Sequence, residues 1–358
     1  MRGLYLNIFL IICFSIVSTV STARNTVVKQ ITADVITVTP DRKQLQSLGW
    51  PNDIINSIAV NTGEGIVLVD TQNSPANAKL IKSAVMGHFN DSTFIYIINT
   101  HGHSCHSGGN CEFDQANIVA QSRSINEIKN YDDIFLGQTI DFFRKNILIN
   151  NNVLDTITVA GALNDSINES IERFRFYEDD LLNNYKVRYP NYVFDDTLTL
   201  YAGNKTISLM YMGKGHGNAD IMVYIEEDKV LCTGNLFHLG GSDVEEMPSF
   251  YVYRENEINH WISTMSTFLE KNNDVKYVLS THGKKPFKLE NIVFINEYCK
   301  LVRSEVKAAK ASKQAVESLQ SSEKFDNFFK NNRNIIGFSA KIQEMHKRNL
   351  NIIWRYIE

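Results

Sequence analysis

Short runs rich in Val, Ile and Thr alternate along the chain with longer stretches whose apolar residues recur every three or four positions. Residues 31–39, 57–61 and 65–70 are runs of the first kind and read as early strands, the last two joined by a Thr62-Gly63-Glu64-Gly65 turn. Residues 76–89 carry the helical period. The apolar run 93–99 has the length of a buried strand and leads straight into His101-Gly102-His103-Ser104-Cys105-His106. From about 122 to 190 the pattern is mainly helical, clearest over 133–145 and 168–184. Strands return at 196–201, 205–212, 221–225 and 229–233, followed by a helix at about 255–271, a strand at 276–280 and helix from about 289 onward. In the last segment Ile342, Met345, Leu350, Ile353 and Ile357 fall on one helical face. Strands and helices alternating without a repeat, low-complexity tract or Pro/Gly-rich linker predict one α/β domain with helical additions.

Composition narrows the class. With 43% hydrophobic and 21% charged residues over 358 positions, wholesale disorder is excluded. Lys+Arg is 36 against Asp+Glu 40, a formal charge of −4, which argues against a nucleic-acid partner because such binders show a basic surplus or stripe.

Residues 1–23 place Arg2 before an apolar run and end on Ser21-Thr22-Ala23, the pattern of a signal peptide cut after Ala23. The run is short of the roughly 20 apolar residues a membrane span needs. Ile12 stands where a lipoprotein signal would put a small residue before Cys13. The expectation is a secreted or periplasmic protein with no membrane attachment after cleavage. In that compartment Cys105, Cys111, Cys232 and Cys299 could form disulfides. Cys232, in an apolar strand, and Cys299, on a helix, read as ordinary buried residues.

Three of the nine histidines lie within six residues after an apolar strand, a density with no packing rationale. His216 and His282 also follow strands, in the glycine-containing turns MGKGHGNAD and YVLSTHGKKP. Neutral imidazole is a good ligand for zinc and similar metals. Strand ends on a sheet edge are rigid places from which such ligands converge. His88, His260 and His346 read instead as solvated or core residues.

The order HGHSCH, GHGNADIMVYI, KVLCTGNLF and the late THG, with GIVLVDT before them, resembles the metallo-β-lactamase superfamily and its H-x-H-x-D-H signature. The likeness runs from about residue 31 to 286, and the tail HKRNLNIIWRYIE is similar to C-terminal helices in some members. The resemblance implies an αββα sandwich with its metal site along one edge. That gives a signal peptide at 1–23, the main domain at 24–300 with a helical cap inserted at about 122–190, and a helical extension at 301–358.

The resemblance also implies one or two zinc ions. His101, His103 and His216 match the first site, and His106 and His282 match the second. Asp70 and Asp220 match acids that orient the ligands. Two positions depart from the pattern. The signature Asp is Cys105, and the metal-binding position after KVLCTG is Asn235, a poor zinc ligand. Cys105 then serves as a thiolate at or near the metal, pairs with Cys111, or is an inert residue. A helix beginning after His106 is expected to hold those two cysteines apart. His238 resembles the place where lactam-cleaving members put a substrate-binding Lys. The implied activity is hydrolysis of a lactam, amide, ester or thioester of a small-molecule substrate by metal-bound hydroxide, with Cys105 and His238 as candidate catalytic residues. The competing reading is a metal-binding protein of the same fold without turnover. An iron oxygenase would need a carboxylate that Asn235 removes. The oligomeric state is not readable.

Overall fold

In the computed structural model of the chain, the described residues are 26–41, 55–157, 161–236, 255–282, 286–335 and 340–357. The expected signal peptide lies outside them.

Strand β1 (Thr26–Gln30) turns back into β2 (Val35–Pro40), and β3 (Ser57–Asn61) turns into β4 (Ile66–Val69). The strand expected over 31–39 is thus a bend followed by β2. The physical reason is Thr32, whose hydroxyl accepts the Asp34 and Val35 N–H groups at 3.3 and 3.1 Å and closes the turn. Helix α1 (Pro75–Phe89) leads to β5 (Phe94–Ile98), the short α2 (Ser104–Ser107), β6 (Asn117–Gln121) and α3 (Ser124–Asn130). A π turn at Tyr131–Phe135 joins α3 to α4 (Leu136–Thr156), after which come α5 (Ala162–Asn183) and β7 (Tyr192–Phe194). Then follow β8 (Thr197–Ala202), β9 (Lys205–Gly213), β10 (Asp220–Ile225), β11 (Val230–Cys232), α6 (Glu255–Lys271) and β12 (Tyr277–Leu279). Helices α7 (Leu289–Ala311), α8 (Glu323–Asn331) and α9 (Ala340–Tyr356) complete the described chain.

The strands build two sheets, β1-β2-β3-β4-β5-β6-β7 and β12-β11-β10-β9-β8. The first is antiparallel up to β4 and parallel from β4 to β7. In the second only the β11–β12 pair is parallel. Alternate side chains explain the layering. Ile58, Val60, Val67, Val69 and Ile98 meet Leu209, Ile221 and Val223 between the sheets. Their neighbours Ile66, Leu68 and Ile97 face outward and pack against Ala78, Ile81 and Val85 of α1. Across the second sheet Met222 and Leu231 pack against Trp261 and Met265 of α6 and Tyr298 of α7. Inner strands such as β2, β4 and β10 are buried on both faces and so read as near-continuous Val/Ile runs, while the edge strands β1, β7 and β8 are partly exposed. The result is the αββα sandwich with a helical extension.

In α9 and just after it, Ile342, Leu350, Ile353 and Ile357 are all buried. Helix α7 runs unbroken through residue 300. Helices α4 and α5 pair with each other around Ile140, Phe143, Phe174, Tyr177 and Leu181. Helix α5 is tied to the start of α1, where Asp180 accepts the Ala76 N–H at 2.8 Å and Tyr177 donates to Asn77 at 3.2 Å. Among the described residues no helix is long and apolar enough to cross a membrane.

Candidate metal centre

Neighbouring loops at one edge of the sandwich, after β4, β5, β9, β11 and β12, bring the histidines together. Asp70, directly after β4, is fully buried with φ of +64°, a left-handed conformation that Asp tolerates better than most residues. One carboxylate oxygen accepts the Thr100 N–H at 2.8 Å. The other accepts the Thr100 hydroxyl at 2.8 Å and lies 2.7 Å from His106 Nδ1. Asp70 therefore fixes the loop after β5 and directs the opposite nitrogen of His106 away from itself. Thr71 and Asn99 both bond the His106 carbonyl, and a reciprocal Asn99–Asn110 amide pair closes the base of the loop.

On this frame the rings of His101, His103, His106 and His216 crowd together. Ring centroids are 4.6 Å apart for His101–His103, 4.0 Å for His101–His106 and 5.2 Å for His101–His216. His103 Nδ1 and His216 Nε2 stand 3.2 Å apart. One ligand atom from each of His101, His103 and His216 lies within 4.8 Å of the others. His282 is further out, its ring 6.3 Å from that of His106.

The donor set fits a metal ion. His101 Nε2 and His106 Nε2 are buried with no hydrogen-bond partner, an arrangement that costs free energy unless another group takes up the lone pairs. Burial, followed by the neighbouring imidazoles, holds His101 well below the ordinary histidine pKa, in the neutral form that a metal requires. Burial pushes His106 the same way, but Cys105 and Asp70 beside it outweigh that and raise it well above the ordinary value.

Cys105 and Cys111 are both free thiols, so the disulfide alternative is not formed. The expected helix start also moves. Helix α2 begins at Ser104, before Cys105, and both Cys105 and His106 lie on it. Cys232 and Cys299 are buried as expected. Asn235 is buried at the edge, but its amide oxygen accepts the Thr281 hydroxyl at 2.5 Å and is committed to that bond. His238 lies outside the described residues. Of the other histidines, His88 is exposed, His260 lies 3.3 Å from the Tyr211 carbonyl, and His346 sits in the α7–α9 core.

His216 stands in a turn held from two sides. Asp220 accepts the Gly215 and Gly217 N–H groups at 3.1 and 2.7 Å, and burial, then the nearby Glu127, push its carboxyl up to about 7. Trp261 donates to the Lys214 carbonyl at 3.1 Å. A side chain at Gly215 would meet the Trp261 ring at 2.4 Å, which is why glycine is needed there. The other brace is Glu127, which the sequence reading does not single out. It projects from α3, is 8% exposed, and accepts N–H groups from both histidine loops. Within the helical insertion, α3 at its root bonds to both histidine loops through Glu127.

The family model for the metallo-beta-lactamase superfamily matches residues 50–247, more than half of the chain. Three solved structures are similar to this one. The stereoselective inverting sec-alkylsulfatase Pisa1 from Pseudomonas sp. is 12% identical with a TM-score of 0.57, over 92% of this chain and 49% of that one. A metallo-beta-lactamase from Pontibacter korlensis is 13% identical with a TM-score of 0.48, over 77% and 99%. DIM-1 metallo-beta-lactamase is 12% identical with a TM-score of 0.47, over 77% and 98%. At 12% identity the likeness to the alkylsulfatase is one of fold.

Proposed function

The chain belongs to the metallo-beta-lactamase superfamily, and from that premise we propose that it is an exported zinc-dependent hydrolase acting on a lactam, amide, ester or thioester of a small molecule. The observation that carries this reading is the convergence of His101, His103 and His216 beside orphaned ring nitrogens. These three would hold one ion, and Cys105, His106 and His282 are the candidates for a second. Bound there, zinc supplies a Lewis acid and brings the pKa of a coordinated water to about 7. Asp70 fixes the His106 ring so that Nε2 presents its lone pair inward. Asp220 holds the turn that presents His216. Cys105 replaces a carboxylate by a softer thiolate donor.

A second reading, metal binding without hydrolysis, is favoured by one observation. Asn235 offers no carboxylate, and its oxygen is already engaged by Thr281. Metal content of the purified protein, compared with Cys105→Ala and run beside a hydrolysis panel that includes a secondary alkyl sulfate, separates the two. Two zinc ions falling to one in the variant, with turnover, supports the dinuclear hydrolase. Bound metal without turnover supports the second reading. No metal after reconstitution overturns both. Export is checked by the mass of the mature amino terminus, expected to begin at Arg24.

A further inference from the structure

The three histidines of the first site come from two loops far apart in sequence, so something must set the distance between those loops before any ion arrives. One carboxylate touches both. Glu127 Oε2 accepts the Gly102 N–H at 2.6 Å, and Gly102 is the residue between His101 and His103. Glu127 Oε1 accepts the Asn218 N–H, two residues after His216. The approach is so close that neither loop has room for a side chain. A Cβ on Gly102 would fall 2.6 Å from Glu127 Cβ and 2.5 Å from the Ser124 carbonyl, and one on Gly217 would fall 2.6 Å from Glu127 Oε1. Asp220 accepts the Gly215 and Gly217 N–H groups of the same turn with its own carboxylate. The His216 loop is thereby fastened at the N–H groups of Gly215, Gly217 and Asn218, and of these two carboxylates Glu127 is the one that also reaches the His101–His103 loop.

We propose that Glu127 is a positioning residue that staples the His101–His103 loop to the His216 loop and so presets the spacing of the three-histidine site. Its consequence for a metal rests on the function proposed above. The staple itself does not. A carboxylate suits this task because it has two equivalent acceptors, one for each loop, and bonds to a charged acceptor are stronger than neutral ones. Glutamine has the same shape but one acceptor, and its amide would set an N–H against an N–H. Helix α3 runs through the Tyr131–Phe135 turn into the α4–α5 hairpin, so the staple is also where the hairpin joins the histidine edge.

The test uses wild type, Glu127→Ala, Glu127→Gln and Lys129→Ala, the last an exposed position on the same helix. On metal-free protein, amide hydrogen exchange over residues 99–107 and 213–220 is expected to quicken by about tenfold in both Glu127 variants and to stay unchanged in Lys129→Ala. On cobalt-loaded protein, the visible absorption is expected to change in both Glu127 variants, and affinity measured against a chelator to fall by about 10- to 100-fold. Should Glu127→Ala fail to fold, the isosteric Gln variant still decides. Unchanged exchange in the two loops of Glu127→Gln overturns the staple. A changed exchange with an unchanged cobalt spectrum overturns its role in spacing the ligands. If wild type binds no cobalt, the proposed function falls, while the exchange result still decides whether the staple exists.

Discussion

Among the described residues, two places bury an imidazole and leave its Nε2 without a partner, and their surroundings differ. His346 on α9 is 4% exposed, its Nδ1 is 2.9 Å from the Tyr298 hydroxyl, and its ring lies 4.4 and 5.1 Å from those of Phe325 and Phe329. His101 is fully buried among three other imidazoles, with Asp70, Asp220 and Glu127 behind the loops that carry them. Burial lowers the pKa in both cases. A buried neutral histidine is therefore not evidence of a ligand. What distinguishes the edge is that nitrogens from separate loops converge on one volume, while His346 faces hydrocarbon and a single hydroxyl.

The largest expected difference between the two is in metal binding. Removing two of the three converging imidazoles, as His103→Ala with His216→Ala, should abolish binding at the first site. That exceeds the roughly 10- to 100-fold cost of losing an orienting group. His346→Gln, equally buried, should leave metal content unchanged by plasma mass spectrometry. If His346→Gln lost metal to the same degree, convergence would not be the criterion and the comparison would collapse.

The second difference is in acid sensitivity. Burial pushes His346 from 6.5 down to about 4. The unfolded chain then binds this proton more readily than the folded one. The stability that neutral His346 contributes is fully present above about pH 6.5 and is lost progressively as the pH falls to about 4. Over that window the loss is about 3 kcal/mol. Urea midpoints of metal-free protein should fall less steeply from pH 6.5 to 4 in His346→Gln than in wild type, with the curves parallel above pH 7. Parallel curves throughout would mean that the α7–α9 core opens enough to hydrate the ring.

How much of this was legible in the sequence follows the same divide between local and convergent features. Strands buried on both faces announce themselves as Val/Ile runs, and β3 (Ser57–Asn61) falls where its run predicts. The five-residue β6 (NIVAQ) and three-residue β7 (YVF) are not legible, because strands this short lack a run long enough to separate them from loop. The HGHSCH cluster was legible because its histidines are neighbours in the chain. Glu127 was not. On a helix it looks like part of a solvated face, and its two partners lie 25 and 91 residues away and are backbone groups, which leave no trace in residue type. The glycines at 102 and 217 were the available signal, and only the fold says what crowds them.

The smallest expected effect concerns the unequal halves of the edge itself. Asn235 holds the Thr281 hydroxyl with its one oxygen at 2.5 Å. In Asn235→Asp that oxygen can keep the bond while the second carboxylate oxygen replaces the amide nitrogen. A donor group thus becomes an acceptor at the buried position next to Thr281, the residue before His282. Without metal the new charge sits in a buried site and should lower stability by about 1–2 kcal/mol, moderated by the Thr281 hydroxyl. With zinc in excess the sign should reverse, because binding to the native state alone stabilises by mass action. Thermal midpoints of Asn235→Asp and wild type, each measured with and without zinc, therefore test whether the second pocket is a metal site short of one carboxylate. A variant less stable than wild type under both conditions would mean that Asn235 is a structural partner of Thr281 and that Cys105, His106 and His282 do not form a zinc pocket.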